Sequence, residues 1–132
     1  CGRRYKAVPS ADADWSDGKK LVGTLDGVLA VLNGKCVFSL GMAAPSGPVH
    51  CLDTDAAKTV AYGVAGDPDD LGSVFRYDDK HGLRWLGRLY CAGGDYPTAA
   101  SNDLSSIAVN PGGTMLAVGS KDRLGVVYII TI

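Results

Sequence analysis

Short apolar runs separated by turn-forming residues dominate the hydrophobic pattern of this chain. In the last part of the sequence, three such runs at residues 106–109, 115–118 and 126–130 are separated by Asn-Pro-Gly-Gly and Ser-Lys-Asp-Arg. Runs of this length that contain β-branched residues and are bounded by Gly, Pro, Asn and Asp are typical of strands. The pattern therefore predicts a three-stranded antiparallel meander over residues 104–132.

The same pattern predicts strands along the rest of the chain. They are expected at residues 3–8, 20–24, 28–32, 36–40, 48–53, 59–64, 73–77 and 83–90. Asn33-Gly34 is the strongest hairpin signal, because both residue types accept the positive φ angles of a tight turn between strands. No segment keeps apolar residues at the helical period over several turns, so the sequence predicts an all-β protein.

Parts of the pattern repeat. Residues 51–63 (CLDTDAAKTVAYG) match residues 107–119 (IAVNPGGTMLAVG) at an offset of 56 residues, counted from Cys51 to Ile107. Residues 71–77 (LGSVFRY) match residues 124–130 (LGVVYII) at an offset of 53, so the intervening loop is expected to be three residues longer in the earlier copy. A weaker third copy begins with GVLAVL. Three repeats of up to four strands each are therefore predicted.

Two of the repeated stretches show a family resemblance. SSIAVNPGGTMLAVGS and VHCLDTDAAKTVAYGV resemble the first two strands, with their turn, of a blade in the WD-repeat-like β-propellers. The resemblance covers the chain from about residue 14 onward. It implies a single propeller-type domain of about three blades, each with four antiparallel strands. The expected blades comprise approximately residues 12–41, 48–91 and 104–132.

Three blades make only about half of a ring, since propellers typically have about four to eight blades. Blades bury their faces against each other, so the two end faces of a half ring would expose apolar surface. We expect the ring to be completed by oligomerisation, with two copies forming a six-bladed ring about a two-fold axis, or by a missing part of the chain. The strand at residues 3–8 is expected to complete the last blade, which lacks a fourth strand.

Composition narrows the expected partners. The 132 residues include 13 basic and 14 acidic residues, and the net charge of −1 gives no basic footprint for nucleic acid. No apolar run is long enough to span a bilayer. The four cysteines form no Cys-x-x-Cys pair, so no zinc or redox motif and no cofactor are predicted, while a disulfide and the cellular compartment stay open. The expected partners are a second copy and a protein or carbohydrate ligand.

Candidate ligand-binding residues follow from the propeller resemblance. In propellers, the loops between second and third strands and the connections between blades share one face, and ligands bind there. The candidates on that face are His50, Asp67, Asp69, Asp70, Tyr96, Asn102, Lys121, Asp122 and Arg123. For any one of them, the role of an ordinary polar loop residue is favoured over ligand binding. The three neighbouring aspartates around Pro68 are expected to form a solvated turn rather than a calcium site, so no metal ligand is predicted.

The preferred function is a non-catalytic binding or scaffold platform. The alternative is part of a propeller-type carbohydrate-active enzyme, either a polysaccharide lyase or a glycoside hydrolase. In that alternative His50, with Tyr96 or Arg123, would resemble the base and charge-stabilising pair of a lyase, and His50 would converge with at least one of these two residues in a deep pocket. Trp15, Trp85 and Tyr90 could stack on sugars, although for Trp85 the favoured role is packing, or a place on the exposed side of an edge strand.

Overall fold

A computed structural model describes residues 7–25, 27–39, 48–66, 73–89, 104–121 and 125–132. The strands are β1 Ala7–Asp14, β2 Lys20–Thr24, β3 Val28–Leu32, β4 Lys35–Ser39, β5 Val49–Thr54, β6 Val60–Ala65, β7 Ser73–Asp78, β8 Gly82–Arg88, β9 Leu104–Val109, β10 Met115–Ser120 and β11 Val127–Thr131. A short 3₁₀ turn at Ser16–Gly18 follows β1. Among the described residues no helix has the length and apolar character needed to cross a membrane. The predicted all-β class is confirmed.

The strands form three antiparallel sheets in which consecutive strands are neighbours. The first sheet has the order β1-β2-β3-β4, the middle sheet β5-β6-β7-β8, and the third sheet β9-β10-β11. Asn33 and Gly34 have φ angles of 52° and 76°, which gives the tight turn expected between β3 and β4. Three antiparallel sheets of up to four strands each are therefore confirmed, although the first sheet has four strands where the sequence predicted three.

The first strand differs from its prediction. It runs from Ala7 to Asp14 and pairs with β2, with Ala7 opposite Thr24 and Asp14 opposite Lys20. The sequence did not indicate this strand, because Ala-Asp-Ala-Asp has low β propensity and Pro9 was expected to end the preceding run. Proline is tolerated because β1 lies at a sheet edge. The described end of the predicted strand at residues 3–8 thus belongs to the first sheet, and residues 3–6 lie outside the described residues.

The middle sheet is buried on both faces, which explains why β6 and β7 lack a polar–apolar alternation. One face packs on the first sheet in a core made of Ala11, Trp15, Leu21, Val28, Ala30, Val49, Leu52, Ala61, Ala65, Phe75 and Tyr77. The other face packs on the third sheet in a second core made of Tyr62, Val64, Val74, Leu104, Ile107, Leu116 and Val118. The two cores therefore hold the three sheets in the order first, middle, third.

The first strands of the three sheets lie side by side, β1 next to β5 and β5 next to β9. The backbone N–H of Ser16 donates to the carbonyl oxygen of Lys58 at 3.1 Å, which joins the first two sheets. Asp53 Oδ2 accepts a hydrogen bond of 2.8 Å from the backbone N–H of Val109. Because β9 is the edge strand of the third sheet, the backbone N–H groups on its outer side have no neighbouring strand in that sheet. The Asp53 carboxylate accepts the hydrogen bond from one of them.

The turns after β5 and β9 share one hydrogen-bond pattern. Asp55 Oδ1 accepts from the backbone N–H of Thr59 at 3.0 Å. Asn110 Oδ1 accepts from the backbone N–H of Thr114 at 2.8 Å. Asp55 is therefore equivalent to Asn110, so the offset between the middle and third sheets is 55 residues and the expected offset of 56 is wrong by one.

This one-residue difference decides which way each side chain faces, because successive strand residues point to opposite sides of a sheet. The offset of 55 makes Leu52 equivalent to Ile107, and both side chains are buried. Each belongs to the core between its own sheet and the preceding one. The predicted offset of 53 between β7 and β11 is confirmed. Phe75 lies opposite Gly63 and Tyr128 lies opposite Val118, so Phe75 and Tyr128 are equivalent. The loop before β7 is thus two residues longer than its counterpart, and not three.

Candidate functional site

Most of the predicted ligand-binding residues lie outside the described residues. These are Asp67, Asp69, Asp70, Tyr96, Asn102, Asp122 and Arg123. The structure describes the other two: Lys121 is exposed just after β10, and His50 is half-buried in β5. The convergence of His50 with Tyr96 or Arg123 therefore stays a prediction.

His50 connects two strands of the middle sheet. Its Nε2 donates to the carbonyl oxygen of Gly66 at 2.7 Å, and Nε2 bears the proton because a carbonyl only accepts. The backbone N–H of Gly66 in turn donates to the carbonyl of Pro48 at 3.1 Å. These bonds fix the start of β5 against the end of β6, so the described contact of His50 is structural.

A groove opens at the opposite end of the sheets. We name this end, formed by the turns at residues 15–19, 55–59 and 110–114, the turn end. The bond between Ser16 and Lys58 brings its first two turns together, and the groove beside them has a volume of about 420 Å³. The residues that line this turn groove are Asp14, Trp15, Ser16, Asp17, Gly18, Lys19, Lys20, Ala57 and Lys58. Sequence reasoning missed it, because residues 14–20 and 57–58 meet only when the two sheets pack.

Charges of both signs surround the turn groove. The ion pairs are Lys19–Asp17, Lys20–Asp12 and Lys58–Asp14, with N–O distances of 3.7, 3.8 and 4.0 Å. The side chains of Lys20 and Lys58 are 57% and 52% exposed. Exposed pairs of this kind contribute only about 0–1 kcal/mol to stability. Their ammonium groups can therefore exchange these carboxylates for those of a partner at little cost.

The turns that line the groove have a defined backbone shape. Asp17 and Lys58 have φ angles of 60° and 59°, in the left-handed region that side chains other than Gly seldom adopt. A non-glycine residue in this region costs of order 1 kcal/mol, and such a conformation persists only where the surroundings impose it. The turn groove is thus formed by the packed sheets before any partner binds.

The two tryptophans have packing roles. Trp15 is 3% exposed, and its ring centroid lies 5.5 Å from that of Tyr77. Trp85 packs edge-on against Phe75, with centroids 5.7 Å apart. Stacking on a sugar requires an exposed ring face, which Trp15 does not offer. The packing role predicted for Trp85 is confirmed, Trp15 is packed as well, and Tyr90 lies outside the described residues.

A charged cluster braces the turn between β7 and β8. Asp78 is 8% exposed and accepts hydrogen bonds from the Arg76 guanidinium and, at 2.6 Å, from the backbone N–H of His81. Burial alone would raise the pKa of Asp78, but the bonds from Arg76 and His81 outweigh it and hold that pKa below its usual 3.8. Burial, together with the hydrogen bond to Asp79, raises the pKa of Tyr77 to about 12.

Asp78→Asn is expected to destabilise the protein at neutral pH and to flatten its stability profile in acid. A carboxylate with a lowered pKa stabilises the fold above its unfolded value of about 3.8, and that contribution disappears as pH falls further. The free energy of unfolding, measured with urea at about pH 7 and at about pH 3, should fall less between these two pH values in Asp78→Asn than in the wild type. Asp17→Asn, at a side chain 83% exposed, is the matched control. Equal losses in Asp78→Asn and wild type would contradict this role of Asp78.

The described cysteines differ in state. Cys51 is a free, half-buried thiol, whereas Cys36 is disulfide-bonded. Within the described ranges, no group of three or more His, Cys, Asp or Glu side chains is placed to hold a metal ion. The described chemistry therefore consists of the mixed-charge turn groove and the bracing cluster at Asp78.

Function has to be inferred from this geometry. The described residues supply three packed sheets, a preformed groove at the turn end and, on the third sheet, several exposed aliphatic side chains. In comparisons with known proteins, no protein-family model matches the chain, and no curated protein matches it either.

Proposed function

We propose that this protein is a non-catalytic binding platform of three β-propeller-type blades that engages a protein partner. Each sheet would be one blade of a single domain, with boundaries close to those predicted from the sequence. The arrangement of the sheets supports this proposal, because their first strands are adjacent and the middle sheet is buried on both faces. Stacked propeller blades bury their faces in the same manner.

The observation on which the proposed function rests is the turn groove. The side chains of Lys20, Lys58 and Asp14 are more than half exposed, in ion pairs that contribute little to stability. A protein surface with charges of both signs could satisfy these groups, and such complementarity provides specificity and fast association. A carbohydrate ligand would bind most favourably to exposed aromatic ring faces. Trp15, the tryptophan that lines the groove, is instead packed against Tyr77. The groove thus favours a protein ligand over a carbohydrate.

The ring need not be closed for this function. If two copies closed a ring, the face of the third sheet that lies outside both cores would pack on the corresponding face of the first sheet in the other copy. We call these outer surfaces the free faces of the two sheets. The first sheet presents the Lys20–Asp12 pair there, with side chains 57% and 58% exposed. Burying such a pair costs several kcal/mol per ion before any compensation. We therefore take the open arc of three sheets as the platform, and a further part of the chain as the alternative source of additional blades.

Selection of binding peptides tests the platform. A displayed random-peptide library would be selected on the wild type and counter-selected on the Lys20→Glu/Lys58→Glu variant, whose altered side chains are exposed. We expect enriched peptides whose affinity falls at least about tenfold in the variant, a change of about 1.4 kcal/mol. Lys35→Glu/Lys80→Glu makes the same change in net charge at two exposed residues that do not line the groove, and it should leave binding unchanged.

Two results would overturn the platform proposal. One is a selection that yields no peptide dependent on the turn groove. The other is cleavage of a polysaccharide by the wild type that disappears in His50→Ala, since that outcome supports the lyase or hydrolase alternative. Neither result depends on knowing the natural partner.

A further inference from the structure

The free face of the third sheet is apolar. With the offset of 55, it corresponds to the face of the middle sheet that the third sheet itself covers. Its residues are Ser106, Ala108, Met115, Ala117, Gly119, Val127, Ile129 and Thr131. Val127 and Ile129 are each 62% exposed and Met115 is 43% exposed. None of these side chains is charged, and among them only Ser106 and Thr131 carry a polar group, so the face is a largely apolar surface that the described residues leave exposed.

Strand pairing gives this face a definite shape. Ala117 on β10 lies between Ala108 on β9 and Ile129 on β11. In the next row, Gly119 lies opposite Val127. Small residues thus occupy β9 and the middle of β10, while large aliphatic side chains occupy β11. The face therefore consists of a ridge along β11 beside a shallow shelf.

The other free face of the chain does not match this one. On the first sheet, Lys20 and Asp12 form an ion pair at 3.8 Å, and Asp14 lies beside them in the same sheet. An apolar face packed on these groups would remove water from charges without supplying new partners. Among the described residues, the charge-free surface that best suits the third sheet is the same face of another copy.

We propose that two copies of this chain associate through the free faces of their third sheets. A two-fold axis parallel to β10 would place the β11 ridge of one copy over the shelf of the other, with the sheets about 10 Å apart. A two-fold axis perpendicular to the strands would instead place the two β11 ridges against each other. The interface is isologous, and it leaves the turn groove of each copy at the ends of the strands, open to a partner.

The expected affinity follows from the size of the face. Three strands of about five residues span about 14 Å by about 17 Å. Two such faces have a planar area of about 480 Å² together, and the accessible area of their projecting side chains is somewhat larger, so the interface lies at or below the lower end for a specific interface. We therefore expect dissociation constants in the micromolar range, so that dimers form at the concentrations used in sedimentation experiments.

Sedimentation velocity over a concentration series tests the dimer. The wild type should shift from monomer to dimer, and Ile129→Lys should weaken association at least about tenfold, because the side chain is already 62% exposed and its replacement leaves the cores intact. Val37→Lys, at a position 48% exposed on the first sheet, should associate like the wild type. A wild type that stays monomeric at every concentration would overturn the proposal.

Cross-linking distinguishes this dimer from a ring. Ala117→Cys, near the proposed axis, should give a link between residues 117 of two copies when treated with a short bis-maleimide and mapped by mass spectrometry. Mixing it with Val22→Cys, on the free face of the first sheet, would instead give links between 22 and 117 if the copies closed a ring. Such links, or no link at 117, would contradict the proposal. Peptide binding at the turn groove should survive in Ile129→Lys, so failure of the dimer and failure of the platform are separate outcomes.

Discussion

Phe75→Ala is expected to lower the free energy of unfolding by about 3–5 kcal/mol, the largest effect among the substitutions considered. The Phe75 side chain is fully buried in the core between the first and middle sheets and packs edge-on against Trp85. Its loss would leave a cavity beneath both sheets that neighbouring strands cannot fill. Urea unfolding followed by circular dichroism measures the change.

The decrease in the free energy of unfolding depends on how deeply the replaced side chain is buried. An exposed residue of the same sheet provides the comparison. Leu86→Ala, at a residue 47% exposed on β8, should cost less than about 1 kcal/mol. If Phe75→Ala is too unstable to fold, the milder Phe75→Leu should still be destabilised relative to Leu86→Ala. A Phe75→Ala variant as stable as Leu86→Ala would mean that the first two sheets do not pack through this ring.

Gly63→Ala is expected to destabilise the protein by about 1–3 kcal/mol, although alanine normally suits a strand better than glycine. A Cβ atom at this position would collide with the Phe75 ring and lie 2.7 Å from Leu52 Cδ2. Both neighbours are buried in the same core, so neither can move away without cost. The measurement is again the urea unfolding free energy.

Two further variants identify the collision as the cause. Gly112→Ala has no heavy atom within 4 Å of the added Cβ and should be close to neutral. Combining Gly63→Ala with Phe75→Leu should cost less than the sum of the two single changes, because the smaller side chain makes room for the methyl group. Strictly additive effects would contradict the close approach of β6 to β7 at this point.

The sequence allowed most strands to be predicted, for a physical reason. Residues such as those in Val28–Leu32 and Val127–Thr131 are β-branched, aliphatic or aromatic and lie beside Gly- and Asn-containing turns, so their local preferences agree with the fold. The strand Ala7–Asp14 was not fully predicted, because its local preference is weak and its pairing with β2 is a tertiary effect. The side chains of Lys20 and Asp12 on β2 and β1 form an ion pair across these strands.

The repeat offset shows the limit of aligning two repeats by residue identity alone. Aligning Gly63 with Gly119 gave an offset of 56, whereas the turn hydrogen bonds at Asp55 and Asn110 give 55. Alternating small and apolar residues look similar in either register, but only one register buries the correct face. The turn groove could not be predicted at all, because it depends on how two turns distant in sequence pack together.

Cross-sheet contacts measured by NMR test most directly whether the middle sheet lies between the other two. In a methyl-labelled sample, nuclear Overhauser effects should connect Leu52 with methyls of the first sheet such as Leu21, and Val64 with methyls of the third sheet such as Leu116. Both sets are expected in the same sample, because the two residues lie in different cores on opposite faces of one sheet. Contacts from Val64 to Leu21, or the loss of either set, would contradict the three-sheet arrangement.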